Sequence, residues 1–535
     1  MTTTDIAPDS VEVSVQQKQT FIERLVTSTN NLSIGKLWIN TGLFFLVVSS
    51  LLGFLLDIVR FDADSYLIFS NIDSFFQFWS LNRTVLVLLT LIPMIIGLAT
   101  CVLPLQIGAN TIIFPRAAAF GFWMWFLGAC ITVFGFLADG GFGAPESGSQ
   151  KEAVALTLVG ILLVIAGICI SVICLLTTVI SGRCMGMNLR RIPLFSWTMM
   201  VSGTLWILTL PVLAANAVLT YVDLRGRPAI YFGSEDLIWE QISWAFSHPQ
   251  IYAFVLPLVG IAYDIIPVAT KTRQKNHDLV LILSSLFGII GFGAYAQPFF
   301  DTPGTPVREE ALYVVTAFLV VPLSVLILAG VLETLRMGSK NLTRHPPAPL
   351  VLSLLSLLLL VSGTVVGALR AIEPFELVDT AATSAQMKLT IGAGIVAVIA
   401  AMLWWGERTI GKSAKQGFGL ISGLLITAGV LISGLTETIN GFLGLDDFTR
   451  INFLEKVSSE STVKVLIFFS FIGSLLFFAG SALFLVVEVL RVRKGVESEA
   501  NPWDGHTLEW AEGPIAVFSE RPLLDVKEQV GDSDV

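Results

Sequence analysis

Charge is scarce in this chain of 535 residues: only 14% are Asp, Glu, Lys or Arg, against roughly a quarter in an ordinary soluble domain. A chain so poor in charge, and 54% apolar, is solvated by lipid. Cysteine is nearly absent too. The five present (Cys101, Cys130, Cys169, Cys174, Cys184) show no Cys-x-x-Cys or Cys/His spacing, so they indicate neither a disulfide framework nor a zinc site. There are four histidines, His248, His277, His345 and His506, and only His248 falls within a membrane-length apolar run. Residues 1–36 lack the basic start and short apolar core of a cleavable signal peptide, which makes the first apolar span itself the insertion signal. The formal charge of −9 owes much to the tail beyond Val496 and points to no nucleic-acid partner.

What the chain does contain is long apolar runs. Twelve of them, each able to cross a hydrocarbon core of ~30 Å, cover residues 37–59, 79–105, 117–138, 153–180, 193–220, 238–266, 278–296, 311–335, 348–371, 385–405, 418–439 and 463–490. The pattern predicts an all-α membrane protein: a polar segment over 1–36, one twelve-helix bundle over 37–490, and an acidic tail over 491–535 that lies extended on one face. No internal repeat marks the two halves of a transporter. From span four onward every second loop is basic, with Arg190 and Arg191, Lys271 and Lys275, Arg336 and Lys340, Arg408 and Lys412, and Arg491 and Arg493. Asp and Glu gather in the alternate loops. The positive-inside rule then places both termini in the cytoplasm.

Four stretches carry a more specific signal. Ser33-Ile34-Gly35-Lys36-Leu37-Trp38 opens the first span, and Leu103-Pro104-Leu105-Gln106-Ile107-Gly108-Ala109 followed by Phe114-Pro115-Arg116 joins the second to the third. Trp244-Ala245-Phe246-Ser247-His248-Pro249-Gln250-Ile251-Tyr252 sits in the sixth, where a helix would set the imidazole and the phenol four positions on along one face. Asn501-Pro502-Trp503 and Thr507-Leu508-Glu509-Trp510 lie in the tail. In this order, on twelve spans, they resemble subunit I of the haem-copper oxidases, the cytochrome c oxidase large subunit, with a tail similar to that of the bacterial members. The resemblance implies a twelve-transmembrane-helix bundle of that type in a bacterial cytoplasmic (inner) membrane, with partners such as subunits II and III. It also implies oxygen reduction coupled to proton pumping, on two haems and a copper.

The family holds those cofactors with six histidines, and the resemblance sets their positions here. The two axial positions of the first haem fall at Asn82 and Lys388, and that of the second at Gln386. The three copper positions fall at His248, Gln297 and Pro298. Only His248 matches. Proline has no side-chain donor, and an amide is a poor iron ligand beside imidazole. The positions of the family's proton carriers read Thr111, Gln250 and Leu326, and its propionate-holding arginine pair falls near Thr436-Glu437-Thr438. Ligands, proton entries and propionate anchors are missing together, the pattern of a lost cofactor.

Plainer readings stand beside these. His248 and Tyr252 read as a residual metal or proton site, or as a hydrogen-bonded pair in the bundle core. Lys388 reads as snorkelling outward, as a buried ion pair with Glu437 its candidate partner by analogy, or as an unusual haem ligand facing Asn82. A pocket of ~300–1,000 Å³ emptied without refilling costs on the order of 7 kcal/mol or more at ~24 cal/mol per Å³, so side chains, lipid or another ligand must occupy it. The expectation is a haem-free, copper-free, non-catalytic subunit with a structural or docking role in a respiratory-type membrane complex. Two alternatives remain: a working oxygen reductase or electron-transfer subunit with unusual ligands, and a transporter or ion-conducting protein using Lys388 and Glu240.

Overall fold

The computed structural model describes residues 28–61, 72–143, 145, 148–226, 231, 238–296, 311–342, 345–378, 380–447 and 460–511. Among them are twelve helices long and apolar enough to cross a membrane. They are α1 (Asn31–Phe61), α2 (Phe75–Ile107), α3 (Pro115–Leu137), α4 (Gly148–Ser181), α5 (Leu194–Arg225) and α6 (Ile251–Ala269), then α7 (His277–Ala296), α8 (Ala311–Asn341), α9 (Ala348–Arg370), α10 (Ala382–Ile410), α11 (Gln416–Phe442) and α12 (Ser461–Lys494). Each coincides with one of the twelve apolar runs, because length and composition are what a spanning helix requires.

Two boundaries differ from the sequence reading in an informative way. Helix α1 starts at Asn31, so the polar Ser33–Lys36 motif lies inside the helix. There Gly35 lets α1 close on α2: a Cβ at Gly35 would stand 2.7 Å from the Gly97 carbonyl oxygen, and one at Gly97 as close to that of Gly35. The sixth run is not one helix from 238 to 266. Residues 240–246 form two short turns, Ser247 is extended (φ −119°, ψ −179°), and the spanning helix begins at Ile251. Pro249 brings no N–H with which to carry a helix through.

The loop between α2 and α3 shows how the second motif works. Gly108 ends α2 in the left-handed region at φ 70°, its N–H donating to the Pro104 carbonyl, and Pro115 opens α3 at a position where no donor is needed. Burial then sorts the helices. The most apolar stretch of α10 is entirely buried, and those of α2 and α6 are 94% and 83% buried. Those of α8 and α12 are 33% buried. Three helices therefore form a central core, and the others surround it and face lipid, with α12 packing on α1 to close the ring.

The described part of the tail folds back on the end of the bundle. Trp503 stacks on Trp404 of α10 at 4.5 Å, Trp510 meets Trp404 edge to face, and Lys271 Nζ lies 2.7 Å from Asp504 Oδ2. Ser498 Oγ donates to Glu407 at 2.8 Å. The tail motif is thus a plug under α10.

Candidate functional site

Asn82 and Lys388 fall into one interior region, and His248, Gln250, Tyr252 and Gln386 into another, on opposite sides of α10. The first lies among α1, α2, α10, α11 and α12. Asn82 on α2 and Lys388 on α10 both line a cavity of about 100 Å³ there, with Ser49, Ser50, Ile391 and Phe477 among the other wall residues. Asn82 sits just before a π-helical stretch, Val85–Leu91, and its buried Oδ1 accepts no hydrogen bond.

Lys388 does not snorkel to the lipid; it makes an ion pair. Its Nζ stands 3.4 Å from Glu437 Oε1, while Arg60 donates to both Glu437 oxygens at 2.6 and 3.3 Å and lies 3.2 Å from Asp57 Oδ1. Ser470 Oγ donates to the same Glu437 oxygen at 2.9 Å. Across the cavity Arg83 pairs with Asp447 at 2.5 Å, touches Ser384 Oγ, and lies 3.9 Å over the Trp79 ring. Three cations thus meet three carboxylates. Sequence reasoning missed Arg60, Asp57, Arg83 and Asp447. The available signal was ionisable residues three apart at the end of an apolar run, and one inside another.

The second region lies among α6, α8, α9 and α10. His248 is buried in the turn before α6, not on a helix face shared with Tyr252. The two rings meet edge to face at 5.5 Å, but each hydrogen-bonds elsewhere. His248 Nε2 faces the Tyr313 carbonyl at 3.3 Å and Thr316 Oγ1 at 3.2 Å, while Tyr252 Oη accepts from Gln386 Nε2 at 2.8 Å. Gln386 Oε1 in turn accepts from Arg370 Nη1 at 2.5 Å. Gln250 is buried, its Oε1 accepting from the Gly293 N–H at 3.0 Å, so it ties the turn to the end of α7.

Two of the proton-path positions do not reach the interior. Leu326 is 51% exposed on the outer face of α8, and the inward residue there is Ser324, 2.9 Å from Thr364 Oγ1. Thr111 is exposed in the loop between α2 and α3. Gln297 and Pro298 lie outside the described residues, as do the loop residues 448–459. Glu240 begins a short helical turn before the extended Ser247. Among the described residues no three His, Cys, Asp or Glu side chains converge on one point.

A third polar cluster, also missed, sits near the tail. Asp264 of α6 accepts from the Leu194 and Phe195 N–H groups at the start of α5, both at 3.0 Å, and from Gln106 Nε2 at 2.8 Å; Gln106 Oε1 accepts from Ser196 Oγ at 2.6 Å. The glutamine of the Leu103–Ala109 motif is therefore a structural link between α2, α5 and α6. Beneath it Glu509 is buried, and burial together with the neighbouring Asp264 charge pushes its carboxyl up to about 7.

Chemically, the two main regions differ from a haem or copper site in their donors. A haem iron needs a free axial nitrogen, sulfur or phenolate donor. The amine of Lys388 is engaged with a buried carboxylate, and the amide of Gln386 bonds on both sides to protein groups. His248 supplies one imidazole, and its described neighbours offer hydroxyl, carbonyl and phenol groups.

Comparison with known proteins places the fold. A family model described as Cytochrome C and Quinol oxidase polypeptide I matches residues 33–476. Cytochrome c oxidase subunit 1 of Bacillus subtilis (strain 168) is 27% identical over 505 residues, 91% of this chain and 78% of that protein. A probable cytochrome c oxidase subunit 1-alpha of Streptomyces coelicolor is 26% identical, over 94% of this chain and 87% of its own length. A heme-copper terminal oxidase dimer solved by cryo-EM superposes with a TM-score of 0.69 at 14% identity, covering 93% of this chain and 89% of that one. The helix count, the order of the motifs and a match across most of the sequence lead to one conclusion: the chain belongs to the cytochrome c and quinol oxidase polypeptide I family.

Proposed function

We propose that this chain is a haem-free and copper-free subunit I, retained as a structural or docking subunit of a bacterial respiratory-type membrane complex. The observation that carries the reading is the Lys388–Glu437–Arg60 cluster. A lysine at one axial position is held by a carboxylate that is itself bonded to an arginine, and Asn82 at the other axial position is an amide. Any metal would have to compete for the amine with a fully buried carboxylate that lies 3.4 Å from it. The residues present do not fit the family's cofactors. The residual space of about 100 Å³ agrees with side chains having refilled most of a cofactor pocket.

In this reading the bundle contributes surface and not chemistry. Its basic end, with Lys271, Arg408 and Lys412, faces the cytoplasm of the bacterial inner membrane, and both termini lie there. The test of the docking role is purification in mild detergent from the native membrane with an affinity tag on this chain. Co-elution in fixed ratio with further membrane subunits, resembling oxidase subunits II and III, is expected; elution of the chain alone at every detergent concentration would reject the role. For orientation, single cysteines at Lys275 and Glu376 in a cysteine-free background separate the two faces. Glu376 is exposed between α9 and α10, whereas Asp447 is buried and would be a poor probe. A membrane-impermeant reagent should label only position 376 in intact cells.

A further inference from the structure

A second cavity, about 340 Å³, opens between α1, α2, α10 and α12 at the basic end of the bundle. Its floor is apolar and reaches the buried core: Leu43, Leu98, Met402 and Leu485 line it from four different helices. Its mouth opens past α12, where Val489 and Val492 are 41% and 55% exposed on a helix that faces lipid. At the rim stand two cations, Lys36 from the first turns of α1 and Arg493 from the last turn of α12. Among the described residues neither has a carboxylate within 4 Å, and neither makes a side-chain hydrogen bond.

Glu488, the one carboxylate among the described wall residues, is already answered. Arg491 lies 3.4 Å from it and is fixed in place by donating to the Met402 carbonyl at 2.9 Å and the Lys412 carbonyl at 2.7 Å. Among the described residues, therefore, the crevice carries two unanswered positive charges at its mouth and no free carboxylate to receive an ammonium. From Lys36 to Leu43 the wall descends roughly 10 Å at 1.5 Å per residue, from the depth of lipid phosphates into the depth of acyl chains. Asn40 and Thr409 add hydrogen-bonding groups near the mouth.

We propose that this crevice is a binding site for an anionic phospholipid, with the phosphate between Lys36 and Arg493 and one acyl chain along the apolar floor. Basic pockets between helices at this depth select anionic headgroups. A zwitterionic lipid brings an ammonium that finds no counter-charge here, and a free anion leaves the apolar floor unfilled. The site is independent of the presence or absence of haem, so it stands or falls separately from the proposed function.

The test uses native mass spectrometry of the full chain in mild detergent, delipidated and then incubated with dioleoylphosphatidylglycerol or dioleoylphosphatidylcholine. One phosphatidylglycerol per chain should be retained, with phosphatidylcholine retained roughly tenfold less, the order of effect of two interfacial basic residues. Lys36→Gln/Arg493→Gln should bring phosphatidylglycerol down to the phosphatidylcholine level while the lipid-free melting temperature stays the same. Leu485→Trp, which keeps both charges and fills the floor, should lower retention as well, and excess inorganic phosphate should not displace the lipid. Equal retention of the two lipids, or retention unchanged in either variant, would overturn the proposal; displacement by inorganic phosphate would assign the rim to a free anion and overturn it too.

Discussion

Among α1, α2, α10, α11 and α12 three cations and three carboxylates meet inside the bundle, whereas among α6, α8, α9 and α10 the interior polar groups are mostly neutral. Arg60, Lys388 and Arg83 meet Glu437, Asp57 and Asp447 on one side; on the other His248, Tyr252, Gln386 and Gln250 meet backbone groups and one another, with Arg370 the single cation of that chain of contacts. The difference follows from what each set of side chains can satisfy. Ions placed in an apolar bundle need counter-ions within a few ångströms. Amides, hydroxyls and an imidazole can be satisfied by short bonds across closely packed helices. The same fold thus accommodates two interiors of different chemistry on either side of its most buried helix.

The largest effect is expected at Glu437. Glu437→Gln leaves Lys388 and part of the Arg60 charge without a counter-ion and should lower stability by about 3 kcal/mol or more, read as a fall in the denaturation midpoint in detergent. Adding Lys388→Met should recover only the part of that loss due to the lysine, since Arg60, the closer partner of Glu437, still lacks its carboxylate. If Glu437→Gln unfolds no more easily than the natural protein, the ionic description of that region fails.

Glu509 sharpens the contrast, being a buried carboxyl with an acid and not a base beside it. Its carboxyl is raised to about 7 by burial and by Asp264, against about 4.3 in an unfolded chain. The folded tail favours the protonated form, so this contribution is fully present below about pH 4 and is lost as pH rises through about 7, a change on the order of 3 kcal/mol. Limited proteolysis of the tail should accelerate from pH 6 to pH 8 in the natural protein, and Glu509→Gln should abolish the acceleration. Proteolysis that stays independent of pH in both would refute the assignment.

The neutral region should respond least. His248→Gln keeps an amide where the imidazole stood and should cost about 1–3 kcal/mol, the range for an imperfectly satisfied buried partner, without preventing assembly. Stoichiometric copper in the purified protein, lost in that variant, would contradict the description of His248 as a core hydrogen-bonding residue.

The twelve helices were legible because a run of apolar residues long enough to cross lipid has few other uses. Pro249 marks a kink in the sixth run, but the start of the spanning helix at Ile251 was not legible, since Ile238, Trp244 and Phe246 are equally apolar in a turn or a helix. Lys388 was legible as an anomaly, and Glu437 as a partner only by analogy, because the short link between α10 and α11 makes them neighbours without fixing which residues face each other. Arg60 and Glu437 are 377 positions apart. Leu326 illustrates a different limit: its distance from Val321-Pro322 is fixed, yet the face it occupies depends on how α8 is rotated against α9, which only packing decides.

The central claim is that this chain, isolated from cells able to make haem, carries none. The most direct measurement is the absorption spectrum of the isolated chain in mild detergent, with a pyridine haemochrome assay on the same sample. The account predicts no Soret band and no haem iron attributable to this chain. A Soret band that stays with the isolated chain, and shifts when Lys388 or His248 is replaced, would contradict it and favour a working oxidase with unusual ligands.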